Sequence, residues 1–349
     1  MTSQDIFVQV DGVSRRFQRK SDIIDRLAVR LGLMAPPPSV HALDKVDLTI
    51  RQGEVVGLVG ESGCGKSTLG RIVAGMLPPT GGMVRHRGVD IAGLRGAEAR
   101  RMRLATQIIF QDPMSSLNPR KKVRDIIGEA PRVHGLVPRS GTVQLVSSLL
   151  ERVGLDPAMA DRYPHQFSGG QRQRIGIARA LAVRPDFLVC DESIAALDVS
   201  IQAQIINLFM QLRRDLSLTL LFISHDLSVV QHIADRVVIM YLGRVVESAP
   251  TEAAFAAPRH PYTQALLEEI PRLDRRHRRF STIKGEIPSP VNPPQGCHFH
   301  PRCPLAIEVC KRERPPLIEV APGHTTACHL NGRQGNPLST NKQQGVPLT

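Results

Sequence analysis

The stretch that decides the fold is residues 55–68, Val-Val-Gly-Leu-Val-Gly-Glu-Ser-Gly-Cys-Gly-Lys-Ser-Thr. It begins with a continuous apolar run, which is typical of a strand covered on both faces of a sheet. A G-x-x-x-x-G-K-[ST] motif follows, and a helical pattern of apolar residues begins at Leu69. A strand, a glycine-rich loop and a helix in this order predict a P-loop, which binds phosphate groups.

The residue types of this loop suit a nucleoside triphosphate bound together with Mg²⁺. Glycines let the backbone turn tightly enough to point successive N–H groups at phosphate oxygens. Lys66 supplies a positive charge for the β- and γ-phosphates, and the Ser67 hydroxyl can ligate Mg²⁺. The predicted nucleotide-binding residues of the loop are Gly60, Glu61, Ser62, Gly63, Cys64, Gly65, Lys66, Ser67 and Thr68.

A second apolar run, residues 187–190, ends in the acidic pair Asp191-Glu192. Phosphoryl transfer needs one group that holds the cation and another that positions the attacking water. We expect Asp191 to hold Mg²⁺ through its water shell and Glu192 to polarise the water. An apolar strand that ends in two acids is common by itself, and it gains this meaning only beside a P-loop.

Apolar runs that predict strands alternate with helical patterns along most of the chain. Beyond the two runs already quoted, strands are predicted near residues 46–50, 107–110, 219–224 and 237–240. Strands that alternate with helices are typical of an α/β sheet. The sequence therefore predicts an α/β fold built around a P-loop NTPase core.

A set of further motifs resembles the ABC-type ATPases. Phe167-Ser168-Gly169-Gly170-Gln171 resembles their signature, whose usual form is Leu-Ser-Gly-Gly-Gln. Gln111, the acidic pair, Asp198 and His225 occupy the remaining motif positions in the expected order. The resemblance covers residues 6–250 and implies an ABC-type nucleotide-binding domain over residues 1–250. It also implies an antiparallel β subdomain and an inserted α-helical subdomain at about residues 112–167.

The resemblance implies that two such domains pack head to tail, with each ATP between one P-loop and the partner's signature. Gln111 is then expected to contact Mg²⁺ and the attacking water, and His225 to hold the γ-phosphate. Phe17 matches the aromatic residue that stacks on adenine, although a Phe at the end of a strand also suits a core. The signature-side residues implied to contact nucleotide are Ser168, Gly169, Gly170, Gln171 and Asp198.

The loop after the acidic pair departs from the family pattern. Residues 193–195 are Ser-Ile-Ala, where the family usually has Pro-Thr-Ser. The acidic pair and Asp198 are retained, so we expect ATPase activity to survive. The departure puts communication across the dimer through this loop in question.

The region after residue 250 is richer in proline and resembles the extension of oligopeptide/dipeptide-permease ATP-binding subunits. The resemblance is carried by residues 260–267 (HPYTQALL), 285–290 (GEIPSP) and 296–304 (GCHFHPRCP), within an extension over 251–330. It implies a peripheral ATPase on the cytoplasmic face of the inner membrane that powers import of peptides or a similar small solute. Its implied partners are two transmembrane permease subunits, a second ABC ATPase of the same or a related chain and, indirectly, an extracytoplasmic solute-binding protein. Residues 331–349 are polar and are predicted to be a disordered tail.

Four of the six cysteines lie in this extension, with the spacing C-x5-C-x6-C-x17-C. Disulfides are not expected in a cytosolic chain, and four thiolates suit either Zn²⁺ or an iron–sulfur cluster. In the family that the extension resembles, the pattern implies a [4Fe–4S] cluster, with zinc or metal-free packed thiols as alternatives. We expect the P-loop to lie in a separate core that does not need this metal staple. The predicted ligands are Cys297, Cys303, Cys310 and Cys328.

Composition excludes several other classes of protein. The chain has 349 residues, of which 42% are hydrophobic, and it contains no run of about 18 apolar residues that could cross a membrane. No secretory signal is visible, so we expect a cytosolic protein. The net charge of +13 could attract nucleic acid, but the absence of Trp and the presence of only 3 Tyr argue against a base-stacking surface, and we expect no nucleic-acid partner.

An alternative function is that of an ABC-type ATPase in a soluble, non-transport enzyme complex, such as one that cleaves carbon–phosphorus bonds. That class shares the architecture, so the sequence separates it poorly from an importer subunit. An ABC ATPase of nucleic-acid repair or translation would need a long coiled-coil insertion or two ATPase halves, which this sequence lacks.

Overall fold

The computed structural model describes residues 6–18, 38–112, 116–195, 197–269 and 285–331. The predicted tail therefore lies outside the described residues, apart from its first residue, Asn331. In the described part, the strands are β1 (Ile6–Gln18), β2 (Ser39–Arg51), β3 (Val55–Val59), β4 (Gly81–His86), β5 (Val89–Asp90), β6 (Thr106–Ile109), β7 (Phe187–Asp191), β8 (Thr219–Ser224), β9 (Arg236–Tyr241), β10 (Arg244–Pro250), β11 (Ile318–Ala321) and β12 (His324–Thr326).

Helices separate most of these strands, as the sequence predicts for an α/β fold. They are α1 (Lys66–Val73), α2 (Gly96–Ala105), α3 (Val123–Val133), α4 (Thr142–Arg152), α5 (Gly169–Leu181), α6 (Val199–Leu216), α7 (Leu227–Ile233), α8 (Thr251–Ala256), α9 (Pro261–Glu268) and α10 (Glu308–Arg312). Short 3₁₀ turns cover Arg139–Gly141, Pro157–Asp161, Pro164–Gln166 and His300–Arg302. Within the described ranges, none of the helices combines the length and apolarity that crossing a bilayer requires.

The larger sheet has the strand order β11–β12–β10–β9–β3–β8–β7–β6. The strands from β9 to β6 pair in parallel, and β3, β7 and β8 are buried along their whole length. Because β3 alternates its side chains between two hydrophobic clusters, both faces of this sheet are covered. The P-loop NTPase core expected from the sequence is therefore present.

A second, antiparallel sheet has the order β2–β1–β4–β5. Along the second half of β2, buried Val46, Leu48 and Ile50 alternate with exposed residues, so this strand presents one apolar face to the protein interior. The antiparallel β subdomain expected from the family resemblance is therefore also present. It packs on one face of the larger sheet, where its side chains share a cluster with those of α1.

Helices α3 and α4 pack against each other between β6 and β7, where the helical subdomain is expected. Each helix has one apolar face, formed in α3 by Ile126 and Ile127 and in α4 by Val146 and Leu150. These residues join the hydrophobic cluster on the other face of the larger sheet. The helical insertion is thereby fixed to the core that carries the P-loop.

The C-terminal extension adds strands to the same sheet. Strand β12 pairs with β10 through Glu247 and Thr326, and β11 pairs with β12 at the sheet edge. The backbone of this region continues the hydrogen-bonded core sheet, so the extension and the core share one sheet. This continuity places the extension beside the P-loop.

Candidate nucleotide-binding site

The P-loop connects β3 to α1 and requires glycine at two points of close approach. Gly65 immediately precedes α1 and has φ of 104°, in a region that side chains rarely adopt. A Cβ atom at Gly65 would lie 2.4 Å from the carbonyl oxygen of Ala42, and one at Gly60 would lie 2.2 Å from that of Met240. The loop is therefore held closely between β9 and the antiparallel sheet.

The side chain of Lys66 is buried inside the loop. Its Nζ atom donates hydrogen bonds to the carbonyl oxygens of Gly60, at 2.7 Å, and Glu61, at 3.0 Å. The same atom lies 3.9 Å from Oε1 of Glu192. The lysine charge thus faces the carboxylate predicted to polarise water, and phosphate oxygens are the natural acceptors to take its hydrogen bonds.

Ser67 and Asp191 form the pair of oxygen ligands predicted for Mg²⁺. The Ser67 hydroxyl donates a hydrogen bond of 2.7 Å to Oδ1 of Asp191. Burial raises the pKa of the Asp191 carboxyl group, while this hydrogen bond opposes the shift. A hydroxyl beside a carboxylate fits Mg²⁺, which is bound in nucleotide sites by one or two protein oxygens together with water and phosphate.

Glu192 is the meeting point of the predicted catalytic residues. Nε2 of Gln111 donates a hydrogen bond of 3.0 Å to its Oε2 atom, and Nδ1 of His225 lies 3.6 Å from the same oxygen. Glu192 has φ of 45°, a conformation uncommon outside glycine, and its N–H donates to the carbonyl of Ile223. This strained backbone directs the carboxylate towards the P-loop, as often occurs at functional sites.

The signature segment begins helix α5 at a solvent-exposed end. The Ser168 hydroxyl accepts from the backbone N–H of Gln171, and the Gln171 side chain accepts from the N–H of Ser168. This reciprocal capping box orders the helix start and leaves Ser168 and Gly169 exposed. Gly170 allows close packing on α6, because a Cβ there would lie 2.6 Å from Cγ2 of Ile201.

Asp198 and Phe17 lie at exposed positions. Asp198 precedes the first turn of α6, where the next residue, Val199, is 81% exposed. The Phe17 ring is 39% exposed near the end of β1, and the Arg15 guanidinium lies 4.7 Å from its centroid. Phe17 is therefore not a core residue, which was the alternative interpretation of its position.

Sequence reasoning missed two residues that contact the P-loop from the C-terminal extension. Arg302 donates two hydrogen bonds, of 2.7 and 2.9 Å, to the two carboxylate oxygens of Glu61. The Tyr262 hydroxyl accepts a 2.9 Å hydrogen bond from the Glu61 N–H. In the sequence, the motifs that contain Tyr262 and Arg302 mark only a subfamily, because nothing there indicates which surface they contact.

The four cysteines of the extension come together in space. The N–H of Cys297 donates to the carbonyl of Cys310 at 2.8 Å. Burial, together with the charges of the other three cysteines, raises the pKa of Cys328 to about 12. Burial likewise raises the pKa of Cys303 to about 11. The chemistry of this donor set fits a thiolate-ligated group, which would lower these pKa values.

Within the described ranges, no group of three or more His, Cys, Asp or Glu side chains is arranged to hold a metal ion. The nucleotide site is consistent with that result, since Mg²⁺ needs few protein ligands there.

Two protein families match the chain. Residues 43–195 match the ABC transporter family, and residues 246–310 match the oligopeptide/dipeptide transporter C-terminal region. The first match contains the P-loop, the signature and the acidic pair. The second contains Tyr262 and Arg302, as well as three of the four clustered cysteines.

Several proteins resemble the chain over most of its length. The oligopeptide transport ATP-binding protein AppF of Bacillus subtilis (strain 168) is 47% identical over 332 residues, which is 94% of this chain and 98% of the relative. The probable peptide ABC transporter ATP-binding protein y4tS of Sinorhizobium fredii (strain NBRC 101917 / NGR234) is 51% identical over 294 residues, covering 84% of this chain and 83% of the relative.

Solved structures of ABC proteins share the fold. The cbiO1 protein of Clostridium perfringens, part of the ABC transporter complex cbiONQ, superposes with a TM-score of 0.59 at 27% identity, covering 72% of this chain and 91% of that one. The dimeric post-hydrolysis state of the ATP-binding cassette MJ0796, bound to ADP and Pi, gives a TM-score of 0.58 at 26% identity, covering 70% of this chain and 98% of that one.

Proposed function

Because this chain belongs to the family of ABC transporter ATP-binding proteins, we propose that it hydrolyses ATP to power the import of peptides or a similar small solute. The observation that carries this proposal is the near full-length similarity to an oligopeptide transport ATP-binding protein, at 47% identity. The contacts among the P-loop, the acidic pair and His225 supply the chemistry that such a subunit needs.

Hydrolysis is assigned to residues that already contact one another. Glu192 accepts a hydrogen bond from the attacking water and polarises it, Gln111 orients that carboxylate, and His225 holds the γ-phosphate. Lys66 exchanges the carbonyl oxygens of its own loop for phosphate oxygens. Ser67 and Asp191 would hold Mg²⁺, which when bound neutralises charge on the phosphates.

A second ABC ATPase, either a copy of this chain or a related one, completes the nucleotide site. The exposure of Ser168, Gly169 and Asp198 supports this assignment, because groups that contact nucleotide from across a dimer must be accessible in the single chain. The structurally similar cassette MJ0796 was solved as a dimer. Gln171 caps helix α5, whose N-terminus would face the γ-phosphate of the nucleotide bound by the partner ATPase.

Two transmembrane permease subunits would dock on the helical subdomain at about residues 112–167. Its apolar side chains Val133 and Val143 are 72% and 76% exposed, and a permease subunit docked there would cover them. The protein is then peripheral on the cytoplasmic face of the membrane, and an extracytoplasmic solute-binding protein acts on it only through the permease. The proposed nucleotide-binding domain spans residues 1–250, and the extension spans 251–330.

The four clustered cysteines are assigned to a [4Fe–4S] cluster, with Zn²⁺ as the alternative. The proximity that supports a shared ligand is seen in the 2.8 Å hydrogen bond from the Cys297 N–H to the Cys310 carbonyl. A tetrahedral zinc ion holds thiolates about 2.3 Å from one centre, whereas a cluster is larger and spaces them further apart.

Co-purification tests the transport assignment. The tagged chain, extracted from membranes in mild detergent, should bring down two hydrophobic permease subunits and show ATPase activity that responds to a loaded solute-binding protein. Recovery in a soluble enzyme complex without permeases would contradict the transport assignment and favour a non-transport ABC ATPase.

A further inference from the structure

We infer that Arg302 is a positioning residue for nucleotide binding, which neutralises and orients Glu61 of the P-loop from the C-terminal extension. The inference rests on the proposed role of the P-loop in binding ATP. It goes beyond that role, because it makes the nucleotide affinity of the core depend on a region outside the ABC fold.

The first step is the geometry of the pair. Both terminal nitrogens of Arg302 donate to Glu61, one to each carboxylate oxygen, in the planar bidentate arrangement that guanidinium forms with carboxylate. The Arg302 side chain is only 5% exposed and that of Glu61 is 22% exposed. The same guanidinium also donates to the hydroxyl of Tyr241, which fixes its orientation.

The second step is the charge that this pair cancels. Glu61 is an acidic residue within a loop that must accept a polyanion, and its own carbonyl oxygen bonds to Lys66. An unpaired carboxylate in a partly buried loop repels phosphate, and screening by solvent is weak there. The positive charge of Arg302 cancels that of the carboxylate, so the pair carries no net charge and the repulsion is removed.

The third step is a second contact on the same loop residue. The Tyr262 hydroxyl accepts from the Glu61 N–H, so that the extension holds both the backbone and the side chain of Glu61. Tyr262 packs edge-to-face on Tyr241, and both rings contact Phe299. This aromatic cluster links the P-loop directly to the segment that begins at Cys297.

The fourth step is the position of Arg302 between two clustered cysteines. A short turn at His300–Arg302 connects Cys297 to Cys303, with the N–H of Arg302 bonded to Phe299 and that of Cys303 bonded to His300. Because this turn is tight, displacing either thiol moves the guanidinium. Nucleotide affinity is therefore coupled to the positions of the two thiols. By thermodynamic reciprocity, bound nucleotide stabilises those positions.

The test is a charge-removal cycle measured on the full chain with ADP by equilibrium titration. We expect Arg302→Ala to weaken ADP binding about tenfold and to raise the KM for ATP with little change in kcat. Glu61→Gln in the same background should restore affinity close to that of the parent, because it removes the unpaired charge. Arg302→Lys should retain part of the affinity.

Arg236→Ala is the matched control. Arg236 pairs with Glu54 at 2.8 Å, with exposures of 16% and 8%, so the control breaks a similarly buried ion pair away from the P-loop. It should lower stability but leave ADP affinity unchanged. Should Arg302→Ala not fold, Arg302→Lys and the double variant Glu61→Gln/Arg302→Ala carry the comparison.

The inference is overturned if a folded Arg302→Ala variant binds ADP as the parent does. It is equally overturned if the double variant binds as weakly as Arg302→Ala, because the effect would then come from lost packing rather than from charge. Failure of the parent chain itself to bind ADP would instead contradict the proposed ATPase function.

Discussion

Arg302 and Glu61 are 241 residues apart in the chain and form two hydrogen bonds of 2.7 and 2.9 Å. One residue lies between clustered cysteines and the other within the phosphate-binding loop. If either residue is replaced by an uncharged one, the other is left as an unpaired charge in a partly buried position, which is unfavourable. The pair therefore links the two segments energetically. The extension of this ABC protein therefore contacts the phosphate-binding loop directly, through the side chain of Arg302.

Glu192→Gln should slow ATP hydrolysis by about two to four orders of magnitude and leave ATP binding intact. The amide retains the shape of the carboxylate and its contact with Gln111, but it polarises water poorly. Phosphate release and ATP affinity, measured on the same preparation, check this expectation, and an ATP-bound dimer should accumulate. Turnover close to that of the parent would remove Glu192 from its assigned role.

Lys66→Ala should weaken ATP binding itself rather than the chemical step. The Nζ atom is buried and bonded to the carbonyl oxygens of Gly60 and Glu61, so its loss removes the positive charge at the centre of the loop. Titration with a fluorescent ATP analogue measures the effect, which should exceed about tenfold. Lys121→Ala, which breaks an exposed pair with Glu129, is the control, and equal affinities for the two variants would count against the assignment.

Replacing any one of the four clustered cysteines by Ser should bleach the protein and lower its nucleotide affinity. Protein purified without oxygen should be brown and contain about four iron and four acid-labile sulfide per chain. If the protein contains zinc instead of iron, the metal site is retained and only the identity of its metal changes. If it contains neither iron nor zinc, the proposed metal site is contradicted. Cys190→Ala is the control, because Cys190 is buried in β7 and should not affect the iron content.

The loss of nucleotide affinity in these variants should pass through the ion pair. Cys303→Ser should weaken ADP binding in the parent chain, because Arg302 immediately precedes Cys303 in the turn. It should have little further effect in the Glu61→Gln/Arg302→Ala background, since the coupled charges are absent there. Additive losses in the two backgrounds would show that the thiols act on the loop by another route.

Stability should fall as the pH drops below about 6.5, because His86 and His260 fold in the neutral form. Burial lowers the pKa of each to about 4, from 6.5 in the unfolded chain. The contribution of the two neutral histidines to the free energy of unfolding is therefore fully present above pH 6.5. It decreases progressively towards pH 4, by roughly 1 kcal/mol per histidine at pH 5.5. Urea unfolding at pH 7.5 and 5.5 measures the difference.

His260→Asn should reduce this pH dependence. Nδ1 of His260 accepts a hydrogen bond from the N–H of Tyr262 at the start of α9, and an Asn side chain can accept there without titrating. An unchanged pH dependence in this variant would show that His260 does not contribute to it.

Two glycines of helix α5 should respond oppositely to alanine. Gly176→Ala should raise the free energy of unfolding by about 0.5–1 kcal/mol, because the added methyl group meets open space. Gly170→Ala should lower it by roughly 1–3 kcal/mol, because the methyl group would collide with Ile201 on α6. Equal effects would mean that helix propensity, rather than the close packing of α5 on α6, controls both positions.

The sequence by itself determined the class of fold and the nucleotide chemistry. The P-loop motif, the strand that ends at Asp191 and the apolar alternation of β2 depend on local spacing, which the backbone periods of helix and strand translate directly into structure. Motif order also selected Gln111, Glu192 and His225, and the structure brings all three together.

Only the tertiary structure decided how the C-terminal extension relates to the core. In the sequence, Glu61 occupies a variable position of the P-loop motif. Arg302 lies among prolines and cysteines, and nothing in the sequence indicates which residue it contacts. Their contact depends on β12 joining β10 and on Tyr262 reaching the P-loop, and both are long-range pairings. Local periodicity carries no information about such pairings, because they are selected by the packing of whole elements rather than by neighbouring residues.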